Sequence, residues 1–269
     1  MSCDRIRVEI ENQIAFVRLT RPEKHNALDI EMFSAIDNTI KKLRKSRNIR
    51  TVIVSGAGED FCTGLDIKSV MRSPLNAVRL LFKWLPWRAN LAQRVSTGWR
   101  DLPVPVIMAI QGRCWGGGLQ IALGADFRIA RPDASLSIME AKWGLIPDMG
   151  GTLALRTLLN QDIAKRLAMT GQEFTGEQAL ALGLLTELDQ DPLEKAKQLA
   201  MEICRQSPDA VSAVKKLYNK SWWSGPGAAL ARESGYQLRV LAGKNQKIKT
   251  FNQTHDQQAQ KDFAARGHW

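Results

Sequence analysis

The sequence lacks any long apolar run, although apolar residues make up 44% of its 269 residues. No stretch approaches the roughly 18–20 apolar residues needed to cross a bilayer, so we expect no membrane partner. The first residues carry charge from residue 4 onward and form no apolar signal core. We therefore expect a soluble, cytoplasmic protein without a secretory signal.

Cysteine and histidine are both scarce and scattered. The four cysteines lie far apart without forming a C-x-x-C pair, and the three histidines are His25, His255 and His268. A structural zinc site needs clustered Cys and His ligands, and disulfides are uncommon in large chains of a reducing compartment. We therefore expect neither a metal site nor disulfide bonds.

Three familiar signatures are also missing. No G-x-S-x-G stretch is present, and two of the three histidines lie near the end of the chain, which argues against a Ser-His-Asp hydrolase. The phosphate-binding pattern G-x4-G-K-[ST] is absent. Gly56 and Gly58 follow a predicted strand, but Phe61 stands where a dinucleotide-binding turn has its third glycine.

The charge is strongly of one sign, with a net value of +11. This favours an anionic partner, such as nucleic acid, an acidic surface or a phosphate-bearing small molecule. A basic surface that serves only solubility would have the same composition. An RNA-binding protein is the lesser alternative, suggested by the charge and by Trp222 and Trp223, because no RNA-binding module pattern appears.

Strands and helices alternate along the chain. Residues 6–20 alternate apolar and polar side chains around a polar turn, which predicts a β-hairpin. Asp29 is a suitable N-cap for a helix whose apolar residues recur every three or four positions. Further strands are predicted at 51–55, 106–110 and 126–130, and helices at 69–100 and from about 153 onward. This order predicts an α/β fold with a helical C-terminal third.

Two features remain as candidates for chemistry. Glycine-rich turns at 56–66 and 112–118 each lead from a strand to a helix, and two such turns facing each other could offer two backbone N–H donors to one oxygen. Two ordinary strand-to-helix turns would have the same pattern. Glu140 lies among apolar residues, where burial would favour the neutral form of its carboxyl group and make it usable as an acid or base. A partly exposed glutamate in a loop would have the same sequence pattern.

At these residues the sequence resembles the crotonase superfamily, the enoyl-CoA hydratase/isomerase family, from about residue 6 to 220. Five stretches carry the resemblance in order: RPEKHNAL, FCTGLDIK, QGRCWGGGLQIALGADFRIA, EAKWGLIPDMGGT and TGQEFTGEQALALGLL. The resemblance implies a crotonase-like spiral of ββα units over residues 1–200. It implies a helical trimerisation region over 201–269, and hence a homotrimer or hexamer.

The resemblance also assigns roles to individual residues. The backbone N–H groups of Leu65 and Gly117 would form an oxyanion hole for the thioester oxygen of an acyl-CoA. The residues implied in binding coenzyme A are Lys24, Ala27, Asp66, Ile67 and Lys68. No cofactor is implied beyond the coenzyme A that the substrate carries.

The sequence departs from the family pattern at one of two catalytic carboxylates. Hydratases of the family activate water with two glutamates; Glu140 matches the second, whereas Gln120 stands in place of the first and cannot take a proton. Asp148 matches an acidic residue that dienoyl-CoA isomerases use, so we expect Glu140, Asp148 and Gln120 to be the catalytic residues. Double-bond isomerisation and hydration of an enoyl-CoA both stay open, and a catalytically weak acyl-CoA-binding protein is the alternative.

Overall fold

The computed structural model describes residues 2, 3 and 5–269. Its main sheet contains the predicted hairpin and strands that follow it in the chain. The strands of this sheet are β1 (Ser2–Cys3), β2 (Ile6–Glu11), β3 (Ile14–Leu19), β4 (Thr51–Gly56), β5 (Val106–Ile110), β7 (Phe127–Ala130) and β10 (Glu187–Leu188). They lie in the order β1-β2-β3-β4-β5-β7-β10. The first two pairings are antiparallel and the remaining four are parallel.

A second, three-stranded sheet was not predicted. It contains β6 (Arg113–Trp115), β8 (Ser135–Ser137) and β9 (Glu173–Thr175), in the order β6-β8-β9. Each strand is only three residues long, which is too short for a period-two pattern to stand out in the sequence. This small sheet carries the loop that contains Glu140, because that loop follows β8 directly.

Twelve helices occupy the described chain. The first eight are α1 (Ile30–Lys45), α2 (Ile67–Val70), α3 (Pro74–Leu81), α4 (Leu91–Arg100), α5 (Gly117–Leu123), α6 (Gly151–Leu158), α7 (Gln161–Thr170) and α8 (Gly176–Ala181). The last four are α9 (Pro192–Cys204), α10 (Pro208–Ser221), α11 (Pro226–Leu241) and α12 (Lys244–Thr254). Short 3-10 helices lie at Pro22–Lys24, Glu140–Trp143 and Gln257–Ala259.

The predicted start of α1 is confirmed. The Asp29 carboxylate accepts a hydrogen bond from the backbone N–H of Met32 at 2.8 Å, which caps the helix. The apolar positions of the helix are buried as the spacing predicted: Phe33, Ile36, Ile40 and Leu43. The stretch 69–100, predicted as helical, is instead divided among α2, α3 and α4, with Phe82 to Asn90 outside any helix.

Both faces of the parallel sheet are buried. Val52 and Val54 of β4 point to the main core beneath α1 and α4, whereas Ile53 points to a smaller cluster that includes Ala196 and Ala200 of α9. Parallel strands covered on both faces read as continuous apolar runs, which is why residues 51–55 show no alternation. Helices α10, α11 and α12 contact one another beyond this core.

The described residues also bear on disulfides, metal ligands and membrane-spanning helices. Cys62, Cys114 and Cys204 are free thiols, and the side chain of Cys3 lies outside the described residues. Within the described ranges, no group of three or more His, Cys, Asp or Glu side chains is placed to hold a metal ion. None of the described helices has both the length and the apolarity to span a bilayer.

Candidate active site

The first glycine-rich turn presents the backbone N–H of Leu65 to a cavity. The backbone N–H of Leu28 donates to the carbonyl oxygen of Gly64 at 2.8 Å, and that of Asp66 donates to the carbonyl oxygen of Leu28 at 3.0 Å. Successive N–H groups of an extended segment point to opposite sides. The N–H of Leu65 therefore points away from Leu28. Gly64 has a φ of +86°, which allows this turn without the strain that a side chain would add.

The second turn places the N-terminus of α5 beside the first. Gly116 has a φ of +50°, and α5 begins at Gly117, whose N–H has no acceptor within the helix. A Cβ atom built on Gly64 would lie 3.1 Å from the nitrogen of Gly117. One built on Gly118 would lie 2.2 Å from the carbonyl oxygen of Cys62. Glycine is thus required for the two turns to approach each other.

Glu140 faces the same cavity as the two turns. Leu65, Gly117 and Glu140 all line a cavity of about 280 Å³. Its other lining residues are His25, Thr63, Gly64, Ile67, Arg113, Trp115, Gly116, Met139, Trp143 and Leu145. The two predicted N–H donors and the predicted carboxylate are therefore brought together, with apolar walls on several sides.

Gln120 is fully enclosed, and it contacts Glu140 directly. Its side-chain nitrogen Nε2 donates to Oε1 of Glu140 at 2.5 Å. Its oxygen Oε1 accepts from the backbone N–H groups of Met149 at 2.9 Å and of Gly151 at 3.2 Å. Because both backbone donors require an oxygen, the amide has a single orientation that satisfies all three contacts. Gln120 therefore holds the Glu140 carboxyl group.

The Glu140 carboxyl group has one free oxygen. Oε2 is buried and has no hydrogen-bond partner among the described residues. Burial raises the pKa of Glu140 above the ordinary range of a glutamate, and the negative charge of Asp148 adds to this increase. Hydrogen bonds from the Glu140 backbone and from Gln120 oppose the shift without cancelling it. An unpartnered oxygen on a carboxyl group with a raised pKa is the expected form of a proton-transfer group.

Asp148 lies near Glu140 but outside the lining of its cavity. The residue is exposed overall, although burial of its carboxyl group raises the pKa of Asp148. It precedes Met149, whose N–H holds Gln120. The structure therefore places Asp148 where its charge acts on Glu140 and does not place it against the two N–H donors.

The five residues predicted to bind coenzyme A line one cleft of about 700 Å³. They are Lys24, Ala27, Asp66, Ile67 and Lys68. His25, Leu65, Ile67 and Trp143 line both this cleft and the Glu140 cavity, so the two spaces adjoin. An elongated ligand with an anionic end could therefore occupy the cleft and reach Glu140.

Sequence reasoning missed Arg21, which organises the cleft. Its guanidinium group contacts Asp66 at 2.9 Å and donates to the carbonyl oxygen of Ala27 at 3.0 Å. Burial alone would raise the pKa of Asp66, but the bond from Arg21 and the backbone N–H of Ser69 lower it below the ordinary range. Asp66 is therefore a paired anion that stabilises the loop and α2 and does not leave an unbalanced negative charge in the cleft.

A second cluster that sequence reasoning missed is formed by His25, Asp60 and Arg113. Nδ1 of His25 lies 2.8 Å from the buried carboxylate of Asp60, and Arg113 contacts that carboxylate through Nη2 at 2.7 Å and Nε at 2.9 Å. This cluster ties the loop before α1 to both glycine-rich turns. The only signal of this cluster in the sequence was that each glycine-rich turn contains a charged residue, Asp60 in the first and Arg113 in the second.

The tryptophans differ in their surroundings. Trp115 and Trp143 line the Glu140 cavity. Trp99 is fully buried in the core, whereas Trp84 and Trp87 are largely exposed. Trp115 is fixed by a hydrogen bond from Nε1 to Oγ of Ser135 at 2.9 Å.

The family model for enoyl-CoA hydratase/isomerase matches residues 9–260. The chain belongs to the enoyl-CoA hydratase/isomerase family. The family protein YngF of Bacillus subtilis (strain 168) is 34% identical over 248 residues, covering 91% of this chain and 93% of that protein. The (E)-benzylidenesuccinyl-CoA hydratase of Thauera aromatica is 32% identical over 219 residues, covering 78% and 80%.

The fold agrees with this membership. An enoyl-CoA hydratase from Bacillus anthracis superposes with a TM-score of 0.85 at 27% identity, covering 96% of this chain and 98% of that chain. The predicted crotonase-like ββα fold with a helical C-terminal region is thus confirmed. Enzymes of this enoyl-CoA hydratase/isomerase family act on acyl-CoA substrates.

Proposed function

We propose that this enzyme shifts a double bond along the acyl chain of an enoyl-CoA, with Glu140 as its only proton-transfer group. The observation that carries the proposal is the orientation of Gln120, whose oxygen is occupied by two backbone N–H groups and whose nitrogen donates to Glu140. Gln120 can neither take a proton nor share a water in the manner of a second carboxylate. Proton removal and return by one acid is the chemistry that we therefore propose for this site.

The proposed reaction has two proton transfers. The thioester oxygen accepts hydrogen bonds from the N–H groups of Leu65 and Gly117. The Glu140 carboxylate takes a proton from the carbon next to the carbonyl, and the electrons of that C–H bond pass into a dienolate whose negative charge rests on the thioester oxygen. Glu140 then returns the proton to the γ carbon, which restores the carbonyl and moves the double bond. One N–H donor of this kind stabilises such a charge by about 3–4 kcal/mol.

Asp148 has an electrostatic role in this proposal. It raises the pKa of Glu140, which keeps the acid form of Glu140 available for proton return. The family resemblance also allows Asp148 to return the proton itself, but its absence from the cavity lining favours Glu140 for both transfers.

The substrate's coenzyme A would occupy the cleft beside Ile67. The cations that line this cleft are Arg21, Lys24, Lys68 and Arg72. Glu23 and Asp66 are its acidic residues, and Asp66 is paired with Arg21. The balance of charge thus favours a phosphate-bearing ligand. We propose no further cofactor, since proton transfer at an acyl-CoA needs no redox group.

Hydration is the second candidate, supported by the similarity to the (E)-benzylidenesuccinyl-CoA hydratase. In that case Glu140 would activate water through its free Oε2 atom without a second carboxylate. The product distinguishes the two reactions, because hydration adds a hydroxyl group whereas isomerisation leaves the mass unchanged.

The primary test is Glu140→Gln with a panel of 2-enoyl- and 3-enoyl-CoA substrates. We expect a loss of turnover of about 10²–10⁴-fold, since removal of a general base has effects of this size. Mass spectrometry and chromatography of the products separate migration of the double bond from hydration. Glu202→Gln, on the exposed side of α9, is the matched control and should retain activity. Full activity in Glu140→Gln would disprove the mechanism.

A second test is Gln120→Glu. The new carboxylate would keep an oxygen for the N–H groups of Met149 and Gly151 and would place a second acid beside Glu140. We expect the ratio of hydrated to isomerised product to rise. An unchanged ratio would mean that the missing carboxylate does not limit hydration in this cavity.

The alternative of a weak acyl-CoA-binding protein is decided by the same panel. It would bind coenzyme A thioesters and turn over none of them, and Glu140→Gln would then change nothing. An RNA-binding role would require tighter binding of RNA than of coenzyme A in a filter-binding comparison. We favour the enzyme because Glu140, Leu65 and Gly117 line one cavity.

We also propose a homotrimer or a hexamer assembled through the C-terminal helices. No residue of α11 is buried within the chain. Its leucines Leu230 and Leu238 are 61% and 69% exposed, and they would be covered by a second copy. The free thiols of Cys62, Cys114 and Cys204 agree with a cytoplasmic location, which we propose as well.

A further inference from the structure

The segment around α3 leaves a continuous set of large apolar side chains in solvent. Helix α3 buries only one side chain, Leu80. Six others between 75 and 87 are each at least 53% exposed, and we call them the apolar ridge: Leu75, Val78, Leu81, Phe82, Trp84 and Trp87. A contiguous exposed patch of large apolar side chains is typical of a surface that contacts a protein, a membrane or a ligand.

The same part of the chain carries charge of only one sign. Residues 67–100 contain seven lysines and arginines and no aspartate or glutamate. Five of the cations lie before α4 and are exposed: Lys68, Arg72, Arg79, Lys83 and Arg88. Within the described part of the chain, the ion pairs do not include any of these five. The apolar ridge is therefore flanked by positive charge that no acid of the same chain neutralises.

We propose that the apolar ridge and its flanking cations dock on an anionic phospholipid bilayer. A bilayer surface supplies both requirements at once, since anionic headgroups attract Lys and Arg and the acyl boundary accepts Trp, Phe and Leu. The protein would lie on the bilayer and not cross it. The expected absence of a membrane partner was based on the lack of a long apolar run, and that lack excludes a span but not a surface contact of this kind.

Two other occupants fit less well. A second copy that met this one through the same segment would bring the same acid-free surface, whose cations would repel these. Single-stranded RNA would use Trp84 and Trp87 for stacking and the cations for phosphates. It would leave the aliphatic side chains Leu75, Val78 and Leu81 without a partner.

The docking surface adjoins the cleft proposed for coenzyme A. Lys68 and Arg72 line that cleft and also flank the apolar ridge. A docked enzyme would thus hold the mouth of the cleft close to the lipid surface. Docking does not depend on the proposed reaction, and its test measures binding alone.

The test is co-sedimentation of the full chain with vesicles of an equimolar mixture of phosphatidylglycerol and phosphatidylcholine, and with vesicles of phosphatidylcholine alone. We expect binding to the anionic vesicles, at least tenfold weaker binding to the neutral ones, and partial release by salt because the charge contribution is screened. Binding should also shift the tryptophan fluorescence to shorter wavelength as Trp84 and Trp87 leave water. No binding to the anionic vesicles would overturn the proposal.

Two pairs of substitutions locate the surface. Trp84→Ala/Trp87→Ala should weaken vesicle binding at least tenfold, whereas Ile10→Ser/Met169→Ser, which removes two apolar side chains of similar exposure elsewhere, should not. Lys83→Glu/Arg88→Glu should abolish binding to anionic vesicles. Lys165→Glu/Arg166→Glu on α7 makes the same change in net charge at another exposed site and should have little effect.

Two measurements identify a different occupant. If Trp84→Ala/Trp87→Ala dissociates the native assembly in sedimentation velocity, the apolar ridge is a contact between subunits and the proposal is wrong. If the same variant loses binding to single-stranded RNA while vesicle binding is unchanged, the surface binds nucleic acid and the proposal is again wrong. Circular dichroism shows whether each variant is folded. If the tryptophan variant does not fold, the Lys83→Glu/Arg88→Glu variant tests the surface in its place.

Discussion

Gln120 shows how one atom exchanged for another changes what a carboxylate site can do. An amide at this position has one acceptor and one donor end, and the backbone N–H groups of Met149 and Gly151 take the acceptor end. The donor end holds Glu140 through one of its two N–H groups. A glutamate here could accept from the backbone and still contribute a basic oxygen. With glutamine at this position, the site therefore has one acid, Glu140, and an amide that holds it.

The pKa of Glu140 provides a prediction at this scale. Burial raises it, and the charge of Asp148 raises it further, so the carboxylate form needed for proton removal builds up only at higher pH than for an ordinary glutamate. Asp148→Asn removes the second contribution and lowers the pKa of Glu140. We expect the acidic limb of kcat/KM against pH to move to lower pH in this variant.

The control for that profile is Asp133→Asn. Asp133 is an exposed carboxylate that pairs with Arg131 away from the cavity, so its removal should leave the acidic limb in place. If Asp148→Asn abolishes turnover at every pH, Asp148 takes part in proton transfer itself. An active variant with an unmoved acidic limb would contradict the electrostatic role.

At the residue scale, sequence reasoning identified the groups with a known pattern and missed those that support them. Glu140, Gln120, Leu65 and Gly117 were all named from the sequence, and they meet at one place. The link between His25, Asp60 and Arg113 was not predicted, because 35 residues separate the first two and 53 the last two. Only folding brings such distant residues into contact.

At the scale of the elements, direct backbone contacts between the two glycine-rich turns hold their N–H groups in place. The carbonyl oxygen of Cys62 accepts a hydrogen bond from the backbone N–H of Trp115 at 3.0 Å, and the N–H of Cys62 donates to the carbonyl oxygen of Arg113 at 3.1 Å. These bonds join the segment before α2 to β6. The N-terminus of α5 is positioned by them, and so is the N–H of Gly117.

Gly118→Ala tests this contact. The added methyl group would lie 2.2 Å from the carbonyl oxygen of Cys62, a backbone atom that cannot turn aside. Overpacking a core typically costs about 1–3 kcal/mol, and we expect a loss of about 3 kcal/mol or more in the free energy of unfolding. Urea denaturation followed by circular dichroism measures it.

The matched control is Gly227→Ala on α11, where no atom lies within 4 Å of the added Cβ. Alanine is a better helix former than glycine by about 1 kcal/mol, so this variant should be as stable as the parent or slightly more so. Equal stability of the Gly118 and Gly227 variants would show that the two turns can separate without cost.

At the scale of the whole molecule, the C-terminal helices leave apolar surface that no other part of the described chain covers. Helices α10, α11 and α12 contact one another, but α11 buries none of its side chains. The division into a core over 1–200 and an assembly region over 201–269 stays a prediction. Its physical basis is that exposed leucines on an isolated helix face are stabilised when a second copy covers them.

Leu230→Glu/Leu238→Glu tests this assembly. We expect the parent protein to have the mass of a trimer or a hexamer by light scattering, and the variant to form smaller species, because two buried and unpaired carboxylates oppose association. Ile10→Glu, at an exposed apolar residue of β2, should leave the assembly intact. A monomeric parent protein, or an unchanged mass in the leucine variant, would contradict the proposed interface.

Several local elements and the candidate chemical groups could be predicted from the sequence alone. Local patterns predicted the hairpin of β2 and β3, the capped start of α1 and the buried strand β4, because each depends on residues close together in the chain. Three features became visible only in the folded chain: Gln120 supports Glu140, α3 is separate from α4, and a particular set of apolar side chains is left exposed. Those outcomes depend on which distant surfaces meet, and the periodicity of one segment carries no information about the segment that packs against it.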